Sequence, residues 1–233
     1  MSVNPAIPHC IATASNDRTM RLFDLRMLRT FPETEEFLLK PSQDDLDQME
    51  KLYEKAQLGS ITRKMACTSI SFSPNGRHLA GVCYDDTLSL WDLEPAWLSN
   101  QSTSQSKTLN RPRASKTGKL TDWLKTESPP PLSNRPDNLL TQPRTLRHNN
   151  QTGKWVTLFR ALWHSNPSLE PHFSIGGMTR HAEIYGKDGR LLVSLYDPEW
   201  ITAIPAVIAM HPILPARVAT GNGSGRCALW APP

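Results

Sequence analysis

The run richest in reactive groups is Arg147-His148-Asn149-Asn150-Gln151-Thr152-Gly153-Lys154. Its cationic, imidazole and amide side chains are hydrogen-bond donors, and the acceptors they suit are phosphate oxygens and base edges. A second candidate is the charged pair Asp24 and Arg26, in Phe23-Asp24-Leu25-Arg26. Such a pair either bridges neighbouring strands or is presented to a partner. Asp17 with Thr19, and Asp85 with Thr87, repeat one spacing, and at a tight turn they bond nearby backbone groups. That role is structural.

Enzyme signatures are missing. The chain contains no GxSxG, Walker loop, HExxH or dinucleotide glycine pattern. His9, His78, His148, His164, His172, His181 and His211 do not fall at metal-ligand spacing, and His164 and His211 sit at strand ends beside Pro turns, where a structural role is expected. We therefore expect a binding protein and not an enzyme, with no metal, cofactor or small-molecule substrate. Cys10, Cys67, Cys83 and Cys227 are scattered singly, with no CxxC, and read as buried reduced thiols of an intracellular protein, with disulfide pairing as the alternative.

The net charge of +4 is unevenly placed. Residues 33–57 are acidic and residues 99–154 are basic, which suggests an anionic partner for the latter or a solvated charged loop. No run of about 18 apolar residues exists, so no membrane span is expected, and the N-terminal residues lack the regions of a secretory leader.

The elements that must position these groups announce themselves by repetition. An apolar residue, a Pro-marked turn, a small-residue strand and a closing aromatic recur from Val3 to Phe23, Phe72 to Trp91, Trp163 to Tyr185, and Met210 to Trp230. Pro-to-aromatic separations are 18, 17, 18 and 18 residues. A fixed offset of this kind specifies a repeat architecture. The endings Phe23-Asp24-Leu25-Arg26 and Trp91-Asp92-Leu93 resemble the WD-repeat ending.

The expected fold is all-β: about four blades of a WD-repeat β-propeller that has seven in the family, with a self-closing four-bladed ring as the alternative. Blades are expected at about 1–32, 65–98, 145–200 and 201–233, in the C-terminal part of a longer propeller. Aromatic-to-aromatic distances of 68, 94 and 45 residues place insertions in the first two intervals. An acidic helical insertion is expected over 33–64, with Ser42 as N-cap. A basic, Ser/Pro-rich disordered loop is expected over 95–144.

Ala12 to Thr19, Arg147 to His164, Phe173 to Met178 and Ile201 to Val207 together resemble the DNA damage-binding WD-repeat family. That group includes the small subunit of the UV-damaged-DNA-binding complex and the changed-mutation-rate proteins. The resemblance implies a nuclear protein that binds single- and double-stranded DNA, with preference for UV-damaged duplex, and that meets chromatin proteins. It makes Arg147, His148, Asn149, Asn150, Gln151 and Lys154 the DNA contacts. The family's aromatic wedge has no counterpart in Asn149-Asn150-Gln151. The stretch from Ile11 to Arg26 is similar to the box by which propeller receptors of cullin–RING ubiquitin ligases present a charged pair to the adaptor, here Asp24 and Arg26. An interaction scaffold or ligase receptor is thus the second reading.

Overall fold

Each repeat folds as one antiparallel sheet in the computed structural model, which describes residues 1–28, 42–93, 138–153 and 156–232. The first sheet joins Ser2–Val3 (β1), Cys10–Ala14 (β2), Thr19–Asp24 (β3) and Gln57–Thr62 (β4) in sequence order. Cys67–Phe72 (β5), His78–Cys83 (β6), Thr87–Asp92 (β7) and Arg144–Arg147 (β8) form the second. The third holds Leu162–Trp163 (β9), His172–Gly176 (β10), Ala182–Gly186 (β11) and Leu191–Leu195 (β12). Val207–Met210 (β13), Val218–Gly221 (β14) and Cys227–Trp230 (β15) make a fourth, three-stranded sheet. This is the all-β, WD-propeller-like fold.

Two expected boundaries move. Residues 57–62 belong to the first blade and not to a helical insertion, because Thr19 to Phe23 pair with them across the sheet. Residues 144–147 close the second blade and do not open the third, since Thr87 to Leu90 pair with them. The fourth strand of a blade is thus separated from its third by whatever the chain inserts there. Between β3 and β4 lies a helix, Gln43–Ala56 (α1), with a reciprocal cap: the Ser42 hydroxyl accepts from the Asp45 amide, and the Asp45 carboxylate accepts from the Ser42 amide. Most of the expected basic loop, residues 94–137, lies outside the described residues.

The core sits between sheets, not within them. Cys10, Ala12, Met20 and Leu22 of the first blade meet Ile70, Phe72, Leu79 and Trp91 of the second. The opposite face of the second blade, Ala80, Val82, Leu88 and Leu90, meets Phe159, Phe173 and Ile175. Consequently all six residues of β6 are buried, as expected for a strand covered on both faces. The closing aromatic of the second, third and fourth repeats turns back toward the preceding sheet. Trp91, Tyr185 and Trp230 do so against neighbouring cores, and Phe23 is instead covered by Tyr53 of α1, with ring centroids 4.9 Å apart.

On the last blade one face packs back through Ile208 and Val218. Its other face shows Val207, Ala209, Ala219, Cys227 and Leu229, all exposed, and β15 has no strand beyond it among the described residues. No helix among the described residues is long and apolar enough to cross a membrane.

The Pro turns share one device. The residue after each first strand lends a side-chain acceptor to the amides of the turn that follows. Asn4 Oδ1 accepts from Ala6 and Ile7, Ser73 Oγ from His78, His164 Nδ1 from Asn166, and His211 Nδ1 from Ile213 and Leu214. Asn4 also donates to the Gly76 carbonyl at 2.9 Å, stitching the first blade to the second. Gly76 is required there: its φ is +69°, and a Cβ would lie 2.2 Å from Asn4 Oδ1.

Candidate nucleic-acid interface

Strand pairing decides which groups share one end of the molecule. In the first blade Thr19 faces Thr62, so the turn 15–18 and the crossover 63–66 lie together, and the Arg63 amide donates to the Arg18 carbonyl. In the second, Thr87 faces Arg147, which brings the turn 84–86 beside the segment leaving β8. In the third, β9 and β10 run antiparallel with Leu162 facing Ser174, so residues 156–161 adjoin the turn 177–181. The Cys67 amide donates to the Ser15 carbonyl, joining the first of these ends to the second, and His148 Nε2 lies 3.4 Å from Glu183 Oε2, joining the second to the third.

The segment after β8 is anchored by the residues that sequence proposes as contacts. His148 is buried. Its amide donates to the Asp86 carbonyl, its Nδ1 lies 2.7 Å from Asn150 Oδ1, and its Nε2 lies 3.4 Å from Glu183 Oε2. Asn150 is buried too, donating through Nδ2 to the carbonyls of Cys83 and Thr87 at 2.9 and 3.1 Å. Because that amide nitrogen is the donor, Asn150 Oδ1 is the acceptor, so His148 Nδ1 carries a proton. Phe159 packs edge-on against the His148 ring at 6.0 Å. Both side chains therefore hold the segment onto the second blade, with their donors engaged inside the chain.

Arg147, Asn149 and Gln151 are exposed. Gln151 donates to the Tyr84 carbonyl, and Asn149 Oδ1 accepts from the Gln151 amide at 3.1 Å. Lys154 lies outside the described residues.

Three arginines on this surface were not singled out from sequence: Arg18, Arg160 and Arg180, all exposed. Arg18 and Arg180 occupy the left-handed position of their hairpin turns, at φ 69° and 68°, where the equivalent residue of the last blade is Gly225. A long basic side chain there is unusual, since glycine or asparagine adopts that conformation more cheaply. The turn position itself is the signal that could have found them.

The acids of this end are already engaged. Asp17 lies 2.7 Å from Arg21, and bonds from Thr19 and Arg21 hold its carboxyl well below the usual range. Burial pushes Asp85 up, but donation from Thr87, Cys83 and Arg63 outweighs it and leaves the carboxyl below its ordinary value; Arg63 is 3.2 Å away. The bond from His148, opposed by burial and assisted by Tyr185, keeps Glu183 low. By contrast Arg18, Lys64, Arg147, Arg160 and Arg180 have no carboxylate within ion-pair distance among the described residues. The surface has uncompensated positive charge.

Asp24 and Arg26 lie at the opposite end and are not presented. Asp24 is wholly buried and Arg26 nearly so; Arg26 Nε and its terminal nitrogen donate to the two Asp24 oxygens at 3.0 and 2.7 Å. The expected rim pair is an internal clamp. No group of three or more His, Cys, Asp or Glu among the described residues is arranged to hold a metal ion.

Comparison with known proteins agrees with this architecture. Residues 57–92 match the family described as WD domain, G-beta repeat. Over its whole length the chain is 44% identical to DNA damage-binding protein CMR1 of Mycosarcoma maydis, covering 42% of that protein. It is 31% identical to the protein of the same name from Debaryomyces hansenii, with 98% of the chain and 34% of the relative aligned. The Cryptococcus neoformans protein is 28% identical over 99% of the chain and 39% of its own length. The chain thus spans less than half of these curated relatives, and by sequence and fold it is a WD-repeat protein similar to them.

Proposed function

We propose that this chain is a nuclear DNA-binding module of the DNA damage response, holding single- and double-stranded DNA against the turn-and-crossover end. The observation that carries the reading is the charge balance of that end. Asp17, Asp85 and Glu183 are paired internally and Asp86 accepts the Asn150 amide, while Arg18, Lys64, Arg147, Arg160 and Arg180 are exposed and unpaired among the described residues. Such groups neutralise phosphates and release counterions. The names of the relatives support the same reading, since those proteins are described as DNA damage-binding. Duplex weakened by UV damage is the preferred target, because distorted steps are easier to open. An adaptor-docking role would need a presented charge, and the Asp24–Arg26 clamp offers none.

A titration of labelled duplex across salt concentrations tests this. If the five side chains each engage a phosphate, log affinity falls against log salt with a slope of about −4 to −5. Replacing Arg147 and Arg160 by Ala should reduce that slope by about 2 without changing the fold. An affinity indifferent to salt would overturn the proposal.

A further inference from the structure

Beside the basic surface lies a cavity of about 930 Å³, formed between the crossover from the third blade to the fourth and the last hairpin turn. Its wall includes Trp200, the most exposed tryptophan of the described residues at 71%. The backbone that carries it is fixed. The Asp197 carboxylate accepts from the amides of Glu199 and Trp200 at 2.9 and 3.1 Å, and the Ile201 amide donates to the Asp197 carbonyl at 2.8 Å. Ile201 is itself buried. A closed turn followed by a plugged residue fixes the backbone, so Trp200 is displayed by construction.

Opposite stand the half-buried Trp230 and the exposed Arg226. Arg226 is anchored through its amide on Asn222 Oδ1, and its guanidinium lies 3.4 Å from the Thr202 hydroxyl. The crossover that walls the cavity starts beside the basic surface: Tyr196, which leads into it, packs on His181 at 4.4 Å, and His181 is next to Arg180. A displayed indole, a guanidinium and carboxylate acceptors around one opening form the chemistry that takes a base by its face and its edge. An aliphatic partner would leave the Glu199 carboxylate and the remaining donors of Arg226 unanswered.

We propose that this cavity receives an unstacked nucleobase on Trp200, while the backbone of the same strand runs over Arg180 and the neighbouring arginines. The inference rests on the DNA-binding reading and adds a base-stacking site that the Arg147–Lys154 segment does not contain. Single-stranded DNA, and duplex with a displaced base, are the ligand class.

Binding of the whole chain to a short single-stranded oligodeoxynucleotide of mixed sequence, and to one of equal length and charge carrying abasic sites, tests it. Trp200→Ala should weaken binding to the intact oligonucleotide about tenfold, and Trp200→Phe should restore most of it. The abasic strand should bind wild type and Trp200→Ala alike, and the salt slope should be the same in both proteins. Far-UV circular dichroism and the thermal midpoint should not change, because the side chain lies outside the core. If wild type binds with a steep salt slope but Trp200→Ala binds the intact strand equally well, the stacking site is wrong and the charged surface stands. If neither strand binds wild type at any salt, both readings fall together.

Discussion

Asp24 shows how much a single buried charge can decide. Its two oxygens hold one arginine at 3.0 and 2.7 Å in a place water does not reach. Removing the acid would take away the two bonds it accepts from the buried Arg26 guanidinium, and losing bonds to a charged group costs about 1.5–3 kcal/mol. We expect Asp24→Ala to lower the urea midpoint by a corresponding amount; a variant as stable as wild type would mean the pair is not a clamp. The turn acceptors His164 and His211 were legible from sequence as strand-end residues beside Pro turns, because each bonds amides only two or three residues away. The burial of His148 and Asn150 was not. It depends on partners such as Asp86, 64 residues distant from Asn150, and no local pattern encodes them. The same holds for Arg18 and Arg180, whose importance arises only when strand pairing gathers their turns on one end.

At the scale of elements, crossovers carry the candidate sites and the sheets set where they run. Gly176, at the end of β10, marks the tightest of these contacts: a Cβ there would lie 2.1 Å from the Pro205 carbonyl and 3.2 Å from Phe159. Both neighbours belong to crossovers, one carrying Trp200 and the other leaving Arg147. Gly176→Ala should cost about 1–3 kcal/mol by forcing backbone apart, read as a drop in thermal midpoint. Gly153→Ala, where nothing lies within 4 Å of the added carbon, is the matched control and should leave the midpoint in place. Equal effects would show that the crossover is not seated as described. The strands themselves were readable from alternation and turn residues. Their fourth members, β4 and β8, were harder, because insertions separate each from the hairpin it completes.

For the molecule as a whole, acid should act through histidines before carboxylates. Burial lowers His78, with Asp92 opposing, and lowers His164, with His172 adding to the effect. An unfolded chain takes up these protons near pH 6.5, the ordinary value, while the folded chain resists them. Stability is therefore complete above that pH and declines as pH falls below it. The low carboxyls of Asp17, Asp85 and Glu183 open a second window, below their ordinary range and lost through their folded values. A fall in thermal midpoint between pH 7.5 and 5.5 should follow, about 2–4 °C per kcal/mol for a chain of this size. His164→Asn keeps a turn acceptor, as Asn4 does in the first blade, and removes one titrating ring. Its midpoint should vary less with pH over that interval; an identical profile would remove His164 from the account.

The uncovered strand β15 has a chemical consequence as well as an energetic one. Backbone amides and carbonyls along an open edge accept another strand with little regard for its side chains. Cys227, the exposed cysteine among four free ones, stands on that edge. Its thiol is thus a natural reporter: a strand that adds to β15 shields it, and the rate at which a soluble alkylating reagent consumes it measures how often that edge stands open.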